Sequence, residues 1–180
     1  MRVLMGDYAH DADHPWHRLE RGEISMDEYR AAVAPLIAAA GLVASEPPPD
    51  LKKRSGLNFA FVLSEPMFAL VDDLRASGLR VGVLTNNVRE LRSRWWDLVD
   101  FPSLFHDIVD SHEVGLRKPD PAIYHLALDR LGAQASRTAF LDDMLVNVEA
   151  ARGVGMHGVL VEDDQSGAID AVRVLADLRS

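Results

Sequence analysis

From residue 79 onward the chain repeats one beat, a short apolar run followed by a stretch with helical spacing, and this alternation constrains the fold more than any other feature. The spacing predicts strands at 79–84, 107–110, 138–141 and 158–161. Between and after them it predicts helices at 88–98, 121–131, 144–152 and 166–178, with Asp120 as the cap of the second and Gly132 just past its end. Successive strands joined by crossovers of helical length pair in parallel, and a parallel sheet needs helices on both faces. An α/β, Rossmann-like, doubly wound parallel sheet follows, and 180 residues suffice for one such core with a small appended piece.

Upstream the pattern changes. Ser25 and Glu28 have the spacing of a capping box, and Tyr29, Val33, Leu36, Ile37 and Ala40 follow at helical intervals to Gly41, with Pro35 expected to kink or divide the helix. Residues 1–5 are too short to read as a strand, and the acids and histidines between Asp7 and His17 match no recognised zinc spacing, so they read as a solvated loop entering a helix at Pro15. Pro47, Pro48 and Pro49 make a stiff linker, which places a boundary near residue 50 between an N-terminal helical piece (1–50) and the α/β core (51–180). Ser64 and Pro66 begin a further helix whose stripe of Met67, Leu70, Val71 and Leu74 closes at Gly78.

Chemistry concentrates where strands end. The run Val81-Gly82-Val83-Leu84 stops in Thr85, Asn86 and Asn87, and another ends in the pair Asp142 and Asp143. In open α/β sheets ligands bind beyond the carboxyl ends of the strands, so Thr85, Asn86, Asp142 and Asp143 should line one crevice, with Lys118 in reach on the turn leaving the middle strand. A hydroxyl, backbone donors, one fixed positive charge and paired carboxylates suit phosphoryl transfer assisted by a magnesium ion. Each alone has an ordinary structural reading, so their order carries the inference. The net charge of −9 disfavours a nucleic-acid surface, no apolar run is long enough to span a membrane, and the absence of cysteine excludes disulfides and thiol chemistry and fits a cytoplasmic protein.

These residues resemble the haloacid dehalogenase-like (HAD) hydrolase superfamily. Leu84-Thr85-Asn86 is similar to its second motif, Lys118 in Arg117-Lys118-Pro119-Asp120-Pro121 to its third, and Asp142 and Asp143 with Asn147 to its fourth. The form of the fourth motif, together with residues 19–24, is similar to the subgroup containing the N-terminal phosphatase domain of soluble epoxide hydrolases. The resemblance implies that residues 14 to about 50 form a helical cap, that Thr85 and the Asn86 amide hold the phosphoryl group, and that Lys118 neutralises phosphate and nucleophile. It further implies that Asp143 binds Mg²⁺ directly, Asp142 acts through water or a hydrogen bond, and Asn147 orients them. The substrate would be a small phosphorylated metabolite.

The family's first motif, an apolar strand ending in the nucleophilic aspartate, has no match ahead of the cap. That strand lies at the centre of the family's sheet, so its two neighbours would be left unpaired or forced together. Three explanations stand. The chain is a truncated form of a longer enzyme; it is a short form that binds phosphate or a partner without turnover; or Asp7 is a displaced nucleophile. A haloacid dehalogenase is the alternative activity, less suited because that reaction gives the carboxylate pair little to do. Trp95 and Trp96 are adjacent and cannot share a helix face, which makes one of them a candidate contact in a homodimer.

Overall fold

A computed structural model describes residues 2–42 and 63–177. The proline linker at residues 46–50 lies outside the described residues, as do 178–180, including the end of the last helix read from the sequence. Three helices open the chain, α1 (Arg2–Met5), α2 (Pro15–Glu20) and α3 (Met26–Ala39). The core follows as α4 (Glu65–Ala76), β1 (Gly82–Thr85), α5 (Arg89–Trp96), α6 (Phe101–Leu104), β2 (Asp107–Asp110), α7 (Ser111–Val114), α8 (Pro121–Leu131), β3 (Ala139–Asp142), α9 (Leu145–Gly153), β4 (His157–Leu160) and α10 (Ser166–Leu175).

Among the described residues pairing is parallel throughout, but the strands form two sheets of two rather than one of four. β1 runs beside β2 with Thr85 opposite Asp110, and β3 beside β4 with Asp142 opposite Leu160. β1 and β3 are not hydrogen-bonded to each other, so the break falls where the sequence reading lacks a central strand. Helices cover both faces of β3. Phe140 turns into a cluster with Val109, Ile123, Tyr124, Leu128 and Ala151, whereas Ala139 and Leu141 meet Leu70, Ile169 and Val172 from α4 and α10. This alternation is the two-residue period of a strand buried on both sides.

The opening helices pack on the core through one shared cluster. Trp16, Leu19, Tyr29 and Val33 meet Val88 and Leu91 at the start of α5. The Ser25–Glu28 capping box forms with both reciprocal hydrogen bonds. Residues 2–5, too short to read as a strand, are helical, and α3 continues through Pro35 rather than dividing there. Residue 35 is exposed, so water can reach the carbonyl that the proline ring leaves without its helical donor. Several expected bounds move by a residue or more; β1 begins at Gly82 rather than residue 79, and α10 ends at Leu175 rather than residue 178. Trp95 and Trp96 both find partners within the chain. Trp95 is buried edge-on against Phe101, and Trp96 stacks on the same ring beneath the Arg92 guanidinium.

The turn after α2 brings backbone of this N-terminal unit close against backbone of the core. Gly22 has φ +69°, and a Cβ there would lie 2.3 Å from the carbonyl oxygen of His112. Gly78 has φ +78° but no atom within 4 Å of the corresponding position. Gly22→Ala is therefore expected to lower stability by roughly 2–4 kcal/mol, against about 1 kcal/mol for Gly78→Ala, as read from urea unfolding midpoints.

Candidate active site at the strand ends

Lys118 occupies the break between the two sheets. Its ammonium donates to the Leu84 carbonyl on β1 at 3.1 Å and to Asp142 Oδ2 on β3 at 2.6 Å. The side chain is nearly buried, as is that of Asp142 (9% and 6% exposed), so the pair meets away from bulk water, where attraction between charges is stronger than at a surface. The Lys118 backbone is fixed separately. Asn86 Oδ1 accepts from the Lys118 N–H at 2.7 Å, and Asn86 Nδ2 donates to the Lys118 carbonyl at 2.9 Å.

The residues named from the sequence therefore divide by role in the structure. Lys118, Asn86 and Asp142 are brought into direct contact. Thr85 ends β1 beside Asn86, half-buried, with Asp110 opposite it. The Asn86 side chain is committed to the lysine turn, which leaves its backbone amide as the group able to face a ligand. Asp142 Oδ1 accepts from the Met144 N–H at 2.8 Å and from Asn147 Nδ2 at 3.0 Å, and Asp143 is exposed. Asn147 is itself buried, and its carbonyl accepts from the Tyr124 hydroxyl at 2.9 Å. Burial raises the Tyr124 phenol above its ordinary pKa, so it remains a neutral donor. Asp7 stands in a turn after α1 rather than at a strand end, and its carboxylate accepts from the Ala9 N–H.

Donor chemistry tests whether a metal suits the site. Asp142, Asp143 and the side-chain carbonyl of Asn147 are all oxygen donors, and Asn147 Oδ1 is buried with no hydrogen-bond partner. Among the described residues no three histidine or acidic side chains gather as a metal-binding group. Magnesium commonly takes only one or two protein carboxylates and fills the remaining positions with water and substrate oxygens, so the donor set fits it.

Two networks went unmarked in the sequence. In the first, the buried Asp110 carboxylate accepts from Asn87 Nδ2 at 3.2 Å and Arg92 at 2.8 Å and pairs with His112 Nδ1 at 2.6 Å, while Ser111 Oγ bonds both the N–H and the carbonyl of Asn87. This holds the loop after β1 onto the end of β2. The second joins the N-terminal unit to the lysine turn. Arg117 Nε donates to Glu20 Oε2 at 2.7 Å and Tyr8 donates to Glu20 Oε1 at 2.7 Å, with the Arg117 guanidinium 4.7 Å from the Tyr8 ring centroid. Burial, and then the neighbouring Glu20 charge, push the Tyr8 phenol upward. Glu20 and Arg117 lie 97 positions apart, which leaves no local pattern from which their contact could be read.

A profile of the haloacid dehalogenase-like hydrolase family matches residues 16–155. The chain is 31% identical over 155 residues to a sesquiterpene phosphatase of Aspergillus oryzae, covering 82% of this chain and 72% of that protein. It is 31% identical over 150 residues to acyl-CoA dehydrogenase family member 10 of Mus musculus, of which it spans 14%. It is also 31% identical over 116 residues to bifunctional epoxide hydrolase 2 of Sus scrofa, of which it spans 21%. Among solved structures, a HAD-like family hydrolase of Porphyromonas gingivalis superposes with TM-score 0.68 at 23% identity, over 92% of this chain and 80% of that one. A HAD family enzyme of Bacteroides thetaiotaomicron in complex with magnesium and inorganic phosphate gives TM-score 0.61 at 22% identity, over 87% and 79%. At these identities the superpositions speak for the fold.

His17, fully buried behind the second network, provides a pH test. Burial, with the Arg117 charge adding to it, lowers its pKa to about 4, and its Nδ1 accepts from the Ala12 N–H, as neutral imidazole does. The unfolded chain binds a proton near pH 6.5 that the folded chain does not take until about pH 4, so this contribution to stability is complete above pH 6.5 and lost as pH falls toward 4. In His17→Gln the drop in urea midpoint between pH 7 and pH 5 is expected to shrink, by an amount on the order of 1–2 kcal/mol.

Proposed function

The chain belongs to the haloacid dehalogenase-like hydrolase family, and we propose that it forms the phosphate-binding part of a Mg²⁺-dependent phosphatase acting on a small phosphorylated metabolite. The observation that carries this reading is the Lys118 ammonium held between two strand ends, with Asp142 on one side and the Thr85–Asn86 turn nearby. A phosphoryl group bound there would take donors from the Thr85 hydroxyl and the Asn86 backbone N–H, with Lys118 balancing its charge. Asp143 would hold Mg²⁺ directly, with Asp142, steadied by Asn147, acting through water or a hydrogen bond, and the ion when bound supplies further positive charge against the phosphoryl oxygens. The N-terminal helical unit would serve as the cap that limits which substrates enter.

Phosphatases among the relatives support phosphoester hydrolysis over dehalogenation. The attacking carboxylate is assigned to none of the described residues at this site. Asp142 has both oxygens occupied, and Asp7 lies in a turn after a helix rather than at a strand end. Those placements also favour a second reading, a phosphate-binding module without turnover.

Three measurements separate these readings. Assay of this chain beside a form extended upstream of residue 1 is expected to show turnover only in the extended form, and equal turnover by both would sink the claim that the nucleophile lies elsewhere. Phosphate and Mg²⁺ titration is expected to show binding to the chain as it stands; binding without turnover in either form supports the second reading. In any active form Lys118→Met is expected to reduce kcat/KM by at least about 100-fold, a loss typical of removing one charge-stabilising group.

A further inference from the structure

We propose that Glu20, on the N-terminal helical unit, is a positioning residue for Lys118, so that seating of this unit sets the placement of the ammonium at the strand ends. The proposal rests on the reading of Lys118 as the phosphate-binding lysine. Arg117 has no exposed surface, and Glu20 is 3% exposed. Both Glu20 oxygens are occupied, one by Arg117 Nε and the other by the Tyr8 hydroxyl. Arg117 Nη1 and Nη2 donate no hydrogen bond, and the Asp11 carboxylate stands 3.6 Å from Nη1, so Glu20 is the guanidinium's hydrogen-bonded counterion among the described residues.

A buried ion pair by itself is weak evidence for stability, because desolvation offsets much of the attraction. Position gives this one its meaning. Arg117 immediately precedes Lys118, and the Lys118 peptide is clamped on its other side by both ends of the Asn86 amide. Asn86 Nδ2 also approaches the Tyr8 hydroxyl to 3.5 Å, which closes a circuit through Glu20, Arg117, Lys118, Asn86 and Tyr8. Two of its five members come from the N-terminal unit. Withdrawing Glu20 removes the hydrogen bond that anchors the lysine turn to the N-terminal unit and leaves the Arg117 guanidinium to move toward Asp11, taking the start of the Lys118 peptide with it. Misplacement of a charged group by about 1 Å is enough to cost binding and catalysis heavily.

The chain contains three lysines, Lys52, Lys53 and Lys118. Protein carrying ¹³C at lysine Cε therefore gives a simple spectrum, in which Lys118 is identified by its loss in Lys118→Arg. In Glu20→Gln the Lys118 signal is expected to move toward that of a solvated lysine, and inorganic phosphate to perturb it only at about tenfold higher concentration. Glu20→Gln/Arg117→Gln, which leaves no unbalanced buried charge, is expected to do the same and serves if the single variant does not fold. Glu28→Gln breaks the capping box of α3 without touching Arg117, and is expected to lower the melting temperature while leaving the Lys118 signal in place. A Lys118 signal unmoved in the Glu20 variants overturns the proposal, as does equal displacement by Glu28→Gln. If phosphate does not perturb Lys118 in the unsubstituted chain, the phosphate reading fails instead, and the displacement by Glu20→Gln still reports on positioning.

Discussion

Between β1 and β3 there is no ladder of backbone hydrogen bonds, and the group that bridges their ends is the ammonium of Lys118. An ammonium suits this place because it has three donors and no acceptor, so it can serve a backbone carbonyl and a carboxylate together. The nearby helices give it a fixed setting. α8 packs on both β1 and β2 and also touches α9, which lies over β3 and β4, so one helical layer spans the break while the strands beneath do not. In an ordinary parallel sheet the register of strands would place the ends of β1 and β3. Here helix packing and one buried ion pair do so.

That arrangement makes the site sensitive to its supports. Lys118 is held at its backbone by Asn86, at its tip by Leu84 and Asp142, and through its neighbour Arg117 by Glu20. Asp142 is steadied by Asn147, whose backbone takes the Tyr124 hydroxyl from α8. Each support comes from a different element, so the geometry at the strand ends depends on the packing of the whole core and of the N-terminal unit. The chain as a whole carries a net charge of −9. An anion-binding reading is compatible with that total because the relevant field is local and is set by the Lys118 ammonium and the backbone N–H groups at the strand ends rather than by the net charge.

Much of this was legible from residue order. The helix at Pro121–Leu131 was read to the residue, because Asp120 accepts from the Ala122 N–H and Gly132 takes the left-handed conformation that ends it. β2 was also read to the residue, and the meeting of Lys118 with the end of β3 was anticipated from where apolar runs stop. Pro35 does not divide α3 because residue 35 is exposed and water can reach the carbonyl it orphans, and exposure is not local information. The clamp by Asn86 was missed for a related reason. Its side chain could as well have faced a ligand, and only the path of the turn 32 residues later decides which.

The sequence by itself determined the α/β class, the beat of strand and helix, the family, and the residue types available at the strand ends, because periodicity, capping and motif order are properties of neighbours along the chain. Tertiary structure decided that the strands divide into two parallel pairs, that Lys118 spends its donors on Leu84 and Asp142, and that Glu20 reaches across 97 positions to Arg117. These are contacts between segments whose approach no local pattern encodes, and they exist only once the helices have buried their apolar faces and brought the strand ends together.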